Sequence, residues 1–419
     1  MAMKEKHGME SKGTVSNLNR FARVLAEAKG EAPRALVRMP DKAIEETEKR
    51  KRLIERLRGL NINEKIKIAE NSNTGKDMLD ILGLEKHPNI KYLVACNRNT
   101  SVETLERLSR NKNERVRRAV ARNENVSLEI LERLSRDNYW EVRASVAENE
   151  NVSLEILERL SRDKDWSVRE AVAENENISV EISERLSRDE KWWVREAVAK
   201  NGKTSVETLE RLSRDKNWQV RAAVALHEND SLETLERLSK NEEWTVRASV
   251  ARNENISVEI LERLSKDEEW RVREAVAENE NDSLEILERL SEDKYWQVRA
   301  SVARNENISV EILERLSRDE DPLVRQAVAT NGKTFVETLE RLSKDEEWRV
   351  REAVAENEND SLEILERLSR DENPWVRASV AENGKTPIEI LKRLEKDANE
   401  DVRNSATATL KKLQEDVEK

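Results

Sequence analysis

The chain has 419 residues, a length that ordinarily corresponds to two or three globular domains, but charged residues make up 39% of it and aromatic residues only 4%. An apolar fraction of 37% favours a thin, helix-rich layer over ordinary globules, because each helix then needs only a narrow buried stripe. The net charge of −11 divides into +6 over residues 1–70 and −17 over residues 71–419, so the longer part should repel polyanions.

The N-terminal segment, residues 1–70, differs from the rest in pattern as well as in charge. Residues 1–40 contain no strong period and are predicted to form a mostly flexible arm, with one short helix around residues 18–29. Residues 41–70 are predicted to form a capping helix and a degenerate repeat, since Asp41 is a suitable N-cap and Gly59 is a stop signal. In that helix Leu53, Ile54 and Leu57 would cover the first regular repeat.

A 26-residue period then extends from residue 71 to residue 408. An asparagine recurs at intervals of 26 residues from Asn71 to Asn383, except at one step, where His227 takes its place. We interpret His227 as a turn residue rather than as a ligand. Self-similarity at a fixed period is typical of architectures in which each repeat packs only against its neighbours. The sequence thus predicts thirteen repeats over residues 71–408, followed by a more polar C-terminal cap at 409–419.

Each unit is predicted to contain two short helices, as in residues 123–148. The first helix would begin at a capping box and bury three leucines on one side, with i,i+4 ion pairs on the other. The boxes run from Thr100 to Glu103, Asp230 to Glu233 and Asp360 to Glu363; the buried leucines are Leu128, Leu131 and Leu134; the pairs are Glu129 with Arg133 and Glu132 with Arg136. Where Val126 stands in the cap slot, the following serine is expected to cap the helix.

The second helix is predicted to start near Tyr139 and Trp140. Pro322 and Pro374 replace the tryptophan in two units, which is typical of a first helical turn. A tryptophan recurs at the same slot at 140, 166, 192, 218, 244, 270, 296 and 348. We interpret this row as packing between repeats rather than as a ladder for ligand stacking, because a solenoid needs a bulky residue at each seam.

Two features of the unit resemble a known family. Asp137, followed six residues later by Arg143, is similar to the HEAT-repeat signature, in which an Asp and an Arg form a ladder between neighbours. The 26-residue period, opened by Asn and closed by VRxxVAxN, is most similar to the leucine-rich-repeat-variant branch of HEAT-like solenoids, although NEN or NGK replaces an Asn-Pro pair. The resemblance covers residues 71–408 and implies an all-α fold, a right-handed superhelical solenoid of short two-helix repeats that acts as a scaffold.

Enzymatic chemistry finds little support in the sequence. His7, His87 and His227 are far apart, and Cys96 is the single cysteine, which excludes an intrachain disulfide framework. No phosphate loop, metal-ligand spacing or nucleophile motif is present, so we expect no enzyme activity, no metal and no cofactor. No apolar run has the length of a membrane span and residues 1–13 lack a signal-peptide stretch, so a soluble, cytoplasmic protein without a membrane partner is expected.

The positions that differ between units point to a recognition surface. In the twelve units from Asn97 onward the first-helix Arg never changes, and its neighbouring Glu changes only at Lys392, whereas the residue after the tryptophan slot varies widely. We call this variable row the stripe; it reads Arg115, Glu141, Ser167, Trp193, Gln219, Thr245, Arg271, Gln297, Leu323, Arg349, Trp375 and Asp401. Two further variable positions lie three and seven residues later, as at Ala144 and Glu148, and should share its helix face.

The stripe favours a protein- or peptide-binding scaffold that uses a concave face made by the second helices. Arginine and aromatic residues, with Tyr139 and Tyr295 beside the stripe, are the types that anchor protein interfaces. Neutral drift of exposed positions is the competing explanation of the variability. Nucleic-acid recognition by the array is an alternative function that the charge of −17 disfavours, and a HEAT-like DNA-repair glycosylase is a third.

Overall fold

The computed structural model describes residues 41–359 and 361–417, and the side chains of residues 48–359 and 361–415. These residues form 28 helices and no strand, so the chain is an all-α solenoid of repeated helix pairs. The predicted flexible arm at residues 1–40 and residues 418–419 of the predicted C-terminal cap lie outside the described residues. The described residues divide into two compact regions, with the boundary between residues 104 and 105.

The described part of the N-terminal region begins with the long helix Asp41–Arg58. Three shorter helices follow it, at Ile62–Glu70, Lys76–Leu82 and Pro88–Cys96. Asn61 starts the second of these four helices with a complete capping box, since its side chain accepts from the Glu64 amide while the Glu64 carboxylate accepts from the Asn61 amide at 2.8 Å. Leu57 is buried where the long helix packs against Lys76–Leu82.

From residue 102 onward, a short first helix and a second helix alternate regularly along the chain. The first helices are Val102–Leu108, Leu128–Leu134, Leu154–Leu160, Val180–Leu186, Val206–Leu212, Leu232–Leu238, Val258–Leu264, Leu284–Leu290, Val310–Leu316, Val336–Leu342, Leu362–Leu368 and Ile388–Leu394. The second helices are Glu114–Arg122, Trp140–Ala147, Trp166–Glu174, Trp192–Lys200, Trp218–Ala225, Trp244–Ala251, Trp270–Ala277, Trp296–Arg304, Pro322–Thr330, Trp348–Glu356, Pro374–Glu382 and Glu400–Val417. Helices this short depend on packing between units, because isolated helices of this length are not stable in water.

The first helices begin one residue later than the sequence pattern predicts. Ser127 is the N-cap of its helix, and its hydroxyl accepts from the Ile130 amide. Serine caps the helix in most other units as well, including those with Thr or Asp in the preceding slot, so the proposed boxes at Thr100 and Asp230 are wrong. Thr100 is instead buried and donates its hydroxyl to the carbonyl of Val94, at the end of the preceding helix.

The cap register also moves the buried stripe of the first helix. Ile130, Leu131 and Leu134 are buried, whereas Leu128, which we expected in the core, is 52% exposed. Because Leu128 is the first helical residue after the cap, it lies on the solvent side of the turn. The second helix contributes Val142 and Val146 to the core, as predicted.

Two polar ladders join the units through buried side chains. The unit-opening Asn149 donates its amide to the carbonyls of Ala121, at 2.7 Å, and Asn123, at 3.3 Å. Arg143 donates two hydrogen bonds to Asp163 in the next unit, at 2.6 and 2.8 Å, and a third to a main-chain carbonyl. The Asp–Arg ladder inferred from the HEAT resemblance is therefore present, and its members bridge neighbouring units.

A third ladder joins the first helices and explains why their Glu and Arg residues are constant. Arg133 pairs with Glu106 of the preceding unit at 2.8 Å, and Arg159 pairs with Glu132 at 2.8 Å. The expected pair of Glu132 with Arg136 is also present, at 2.8 Å. Constancy at these positions thus has a structural cause, so the contrast with the stripe no longer argues by itself against neutral drift.

Candidate partner-binding surface

Every stripe residue is accessible at the start of a second helix, where it is the second helical residue. None of the twelve residues is buried among the side chains that the structure describes. Arg115, Arg271, Leu323, Arg349, Trp375 and Asp401 are exposed, whereas Glu141, Ser167, Trp193, Gln219, Thr245 and Gln297 are half-buried. Of the two flanking tyrosines, Tyr139 is exposed and Tyr295 is half-buried.

The two further variable positions separate in the structure. The position seven residues after the stripe is exposed, as at Glu148 and Leu226. The position three residues after it faces the neighbouring second helix, so that Ala144 is buried and Glu170 is half-buried. Burial, together with the nearby carboxylate of Glu174, raises the pKa of Glu170. Arg118, at the same position of another unit, is exposed, so this third variable row is accessible in some units and covered in others.

The recurring tryptophans are partly exposed as well as packed. Trp140, Trp166, Trp218 and Trp244 keep between 36% and 41% of their surface accessible, and the other four members of the row are half-buried. Each ring stands at the first position of its helix, directly before the stripe residue. Our interpretation of the row as a packing seam is thus incomplete, because the same rings form a large part of the accessible apolar surface.

Stripe residues can occupy the space between successive tryptophans, which we call the inter-tryptophan gap. The guanidinium carbon of Arg271 lies 5.1 Å from the ring centroid of Trp244 and 4.7 Å from that of Trp270. Trp193 makes edge contacts with both of its neighbours, at 4.8 Å from Trp166 and 5.3 Å from Trp192. Each of these stripe residues therefore bridges the tryptophan before it in the chain and the corresponding tryptophan one unit earlier.

Further aromatic contacts extend this surface toward the C-terminus. Tyr295 stacks on Trp270 with 5.7 Å between ring centroids, and the Lys294 amine lies 4.9 Å from the tyrosine ring. Arg349 lies 4.6 Å from the ring of Trp348, in a unit whose predecessor carries Pro322 in place of a tryptophan. Basic and aromatic residues are thus in contact with one another in these units.

The structure also reveals an apolar row that sequence analysis missed. The first residue of nearly every first helix is a valine, leucine or isoleucine, and most of these side chains are exposed to solvent. They include Val102, Leu128, Leu154, Val180, Val206, Leu232, Val258, Leu284, Val336, Leu362 and Ile388. Their spacing resembles that of core positions, so only the register of the serine caps identifies them as surface residues.

The described residues also bear on the binding of metal ions and on the crossing of lipid bilayers. No cluster of three or more His, Cys, Asp or Glu side chains suited to a metal ion occurs within the described ranges. No helix there is both long enough and apolar enough to cross a lipid bilayer.

The fold and the three ladders define a class of protein: an α-solenoid of HEAT-like helix pairs. Residues 140–165, 244–269 and 296–321 match the model of the leucine rich repeat variant family. These matches confirm that the repeats resemble those of the leucine-rich-repeat-variant branch, as inferred from the sequence. No protein of curated function matches it in sequence.

Solved structures with similarity to the chain include a leucine-rich repeat variant with a novel repetitive motif. That protein is 29% identical, with a TM-score of 0.41 over 52% of this chain and 87% of its own. Kap121p bound to Nup53p is 12% identical, with a TM-score of 0.38 over 89% and 53% of the two chains. Kap95p in its complex with RanGDP is 13% identical, with a TM-score of 0.35 over 84% and 55%. The chain thus spans about half the length of either Kap protein.

Proposed function

We propose that the chain is a non-enzymatic scaffold that binds a protein or peptide along its row of second helices. The observation that carries this proposal is the row of accessible stripe residues beside half-exposed tryptophans. Arginine, tryptophan and tyrosine supply much of the binding energy in protein interfaces, because they combine a large contact area with directional polar groups. The ladder contacts already account for the constant positions. Recognition is therefore favoured over neutral drift by the residue types of the stripe and by their exposure.

The second helices are the better candidates for a concave face. Successive second helices pack directly against one another, with small residues such as Ala248 buried between them. The row of helices that lie closer together forms the inner side of a curved stack, and concave solenoid surfaces are frequent binding sites. A nucleic-acid ligand is disfavoured, because residues 71–419 carry a net charge of −17.

Trp375 offers the clearest test, since its side chain is 56% exposed at the stripe. Peptides would first be selected on the intact chain from a random display library, and their affinities measured by isothermal titration calorimetry. Trp375→Ala should weaken stripe-binding peptides by about tenfold or more, as expected for an aromatic anchor. Phe335→Ala is the matched control, because Phe335 is 58% exposed but caps a first helix, and it should change affinity by less than about twofold.

Two outcomes would contradict the proposal. Selected peptides whose binding is indifferent to Trp375→Ala, Leu323→Ser and Arg115→Ser would place recognition elsewhere. Tighter binding of oligonucleotides than of any peptide, with an affinity that falls steeply as salt is raised, would favour the nucleic-acid alternative. Helical circular dichroism measured on each variant would show whether a loss of binding reflects a loss of fold.

A further inference from the structure

One inter-tryptophan gap already holds a guanidinium group that belongs to the chain itself. Arg271 lies over the rings of Trp244 and Trp270, and its Nη1 pairs at 2.9 Å with Glu269, the residue before Trp270. This site has two aromatic rings and one carboxylate, which are the groups that bind a planar cation best. Both rings lie within cation–π distance of the same guanidinium, so the gap between them has the width that a planar cation needs.

Two other gaps contain the same groups without an internal cation. Trp140 and Trp166 flank Ser167, and Asp165 stands before Trp166 in the position of Glu269. Asp165 holds the Ser167 amide at 3.0 Å through one carboxylate oxygen. Ser167 is too short to lie between the rings as Arg271 does.

The second gap lies three units further along the chain. Trp218 and Trp244 flank Thr245, and Glu243 stands before Trp244 in the position of Glu269. The Glu243 carboxylate makes no capping hydrogen bond. The Thr245 hydroxyl is buried without a hydrogen-bond partner among the described residues, so it does not extend into the space between the rings.

The remaining gaps lack part of this arrangement. Trp193 fills the gap between Trp166 and Trp192. Beside Gln219 the residue before the tryptophan is Asn217, whose side chain is neutral and caps the helix. Beside Gln297 the face of Trp270 is already covered by Tyr295. Only the gaps at Ser167 and Thr245 therefore combine two described tryptophans, a carboxylate and a short stripe residue.

We propose that these two gaps bind two arginine side chains of an extended, basic partner segment. The proposal rests on the proposed scaffold function and specifies the chemistry of the ligand. The charge of −17 over residues 71–419 supports a basic partner, and Arg271 shows how a guanidinium is held. The gaps are three units apart, roughly 30 Å at about 10 Å per unit, which an extended chain covers in about nine residues.

The probe is a Gly/Ser peptide that carries two arginines nine residues apart, titrated against the full chain by calorimetry. Ser167→Arg and Thr245→Arg would each fill one gap from within and should lower affinity by about tenfold, which is within the range of a desolvated cation–π contact. Gln219→Arg is the matched control, because it adds the same charge at a gap without a carboxylate, and it should lower affinity by less than about twofold. A peptide with citrulline in place of arginine keeps the planar group but loses the charge and should bind at least tenfold more weakly.

Equal losses for Gln219→Arg and Ser167→Arg would overturn the inference, since the effect would then be general charge repulsion. Equal binding of the citrulline peptide would overturn it as well. Arg271→Ser supplies a gain-of-function test, because it opens a third gap and should tighten binding of a peptide with a third arginine three residues further on. If peptides selected from the library respond to Trp375→Ala but not to Ser167→Arg, the scaffold function stands and the arginine sites do not.

Discussion

Two junctions between repeats differ in their polar contacts and in part of their apolar cores. At the junction of residues 123–148 with 149–174, all three ladders are complete. Asn149 reaches two carbonyls, Arg143 makes a bidentate pair with Asp163 at 2.6 and 2.8 Å, and Arg159 makes one with Glu132 at 2.8 and 3.2 Å. We call this the regular junction.

All three ladders are weaker at the junction of residues 201–226 with 227–252, the irregular junction. His227 replaces the asparagine and reaches one carbonyl, that of Asn201, at 3.1 Å. Arg221 faces Asn241 instead of an aspartate, with one hydrogen bond of 3.2 Å and a long ion pair of 3.9 Å with the exposed Glu242. Arg237 donates to a serine hydroxyl and forms no ion pair with any residue that the structure describes.

The comparison separates two sources of cohesion between repeats. The apolar contribution is smaller at the irregular junction. Val220 and Leu235 are fully buried there, as Val142 and Leu157 are at the regular junction, but Thr234 replaces Ile156 and Asp230 replaces Val152. The polar part of the difference lies in charge-assisted hydrogen bonds, which contribute about twice as much as neutral ones. Because each repeat contacts only its neighbours, a weak junction is not compensated elsewhere. We therefore expect the array to open first at the irregular junction.

Breaking the Asp–Arg ladder should have the largest effect. Asp163→Ala would leave the Arg143 guanidinium, whose side chain is 8% exposed, without its carboxylate, at a cost of roughly 3–5 kcal/mol. Asn241→Ala removes a neutral acceptor that takes one hydrogen bond from Arg221 and one from the Glu243 amide, and it should cost roughly 1–2 kcal/mol. Hydrogen exchange of the helices Trp140–Ala147 and Trp218–Ala225, followed by mass spectrometry, measures the two local costs separately.

The reciprocal substitution is the control. Asn241→Asp supplies Arg221 with a bidentate partner and should slow exchange in Trp218–Ala225 toward the rate of the regular junction. Equal costs for Asp163→Ala and Asn241→Ala would contradict the view that charge-assisted bonds distinguish the two junctions.

A buried carboxylate provides the second test, because it weakens a junction whose ladders are intact. Asp282 is 7% exposed, neither of its carboxylate oxygens has a hydrogen-bond partner among the described residues, and burial raises its pKa to about 8 against the attraction of Arg289. The folded pKa lies above the unfolded value, so the folded state gains a proton and stability falls as pH rises from about 4 to about 8. Asp282→Ile should therefore stabilise the chain by roughly 2–4 kcal/mol at pH 8 and very little at pH 4.

The same slot at the irregular junction is the natural comparison. Asp230 accepts from the Ser231 amide at 2.9 Å, and burial raises its pKa to about 6. Asp230→Ile should give a smaller gain in stability than Asp282→Ile, and most of this gain should appear between pH 4 and pH 6. Urea denaturation at several pH values measures both. If the stability gained by Asp282→Ile does not depend on pH, the fit of the side chain, and not its ionisation, limits stability at this slot.

Sequence periodicity was sufficient to predict the helix pairs, and the resemblance to the HEAT-repeat signature was sufficient to predict the Asp–Arg ladder. The helix pairs depend on spacing within a single repeat, whereas the ladder joins Arg143 to Asp163 of the next repeat. The stripe was predictable from the sequence as well, because comparison between units reveals which positions vary. Its residues are accessible, while the partner that they bind remains a proposal.

Features that depend on one-residue register or on distant partners were not predictable. In units such as the one at Thr100 and Ser101, both residues are acceptable at an N-cap slot, so burial of the first residue, not local propensity, decides the register. The pair of Arg133 with Glu106 spans 27 residues and competes with an i,i+4 pattern that the sequence also satisfies. Periodicity alone cannot choose between such alternatives.

The smallest effect expected concerns His227. Its Nδ1 accepts from the Asn229 amide at 3.0 Å, so Nε2 carries the proton and has one donor for one carbonyl. An asparagine there would keep the accepting role and donate to two carbonyls, as Asn253 does at 2.8 and 3.2 Å. His227→Asn should therefore slow hydrogen exchange around the irregular junction. The free energy of local opening should rise by roughly 0.5–1.5 kcal/mol, the usual contribution of one hydrogen bond. If His227→Asn leaves exchange unchanged while Asn241→Asp slows it, the weakness of this junction comes from the arginine ladder and not from the turn.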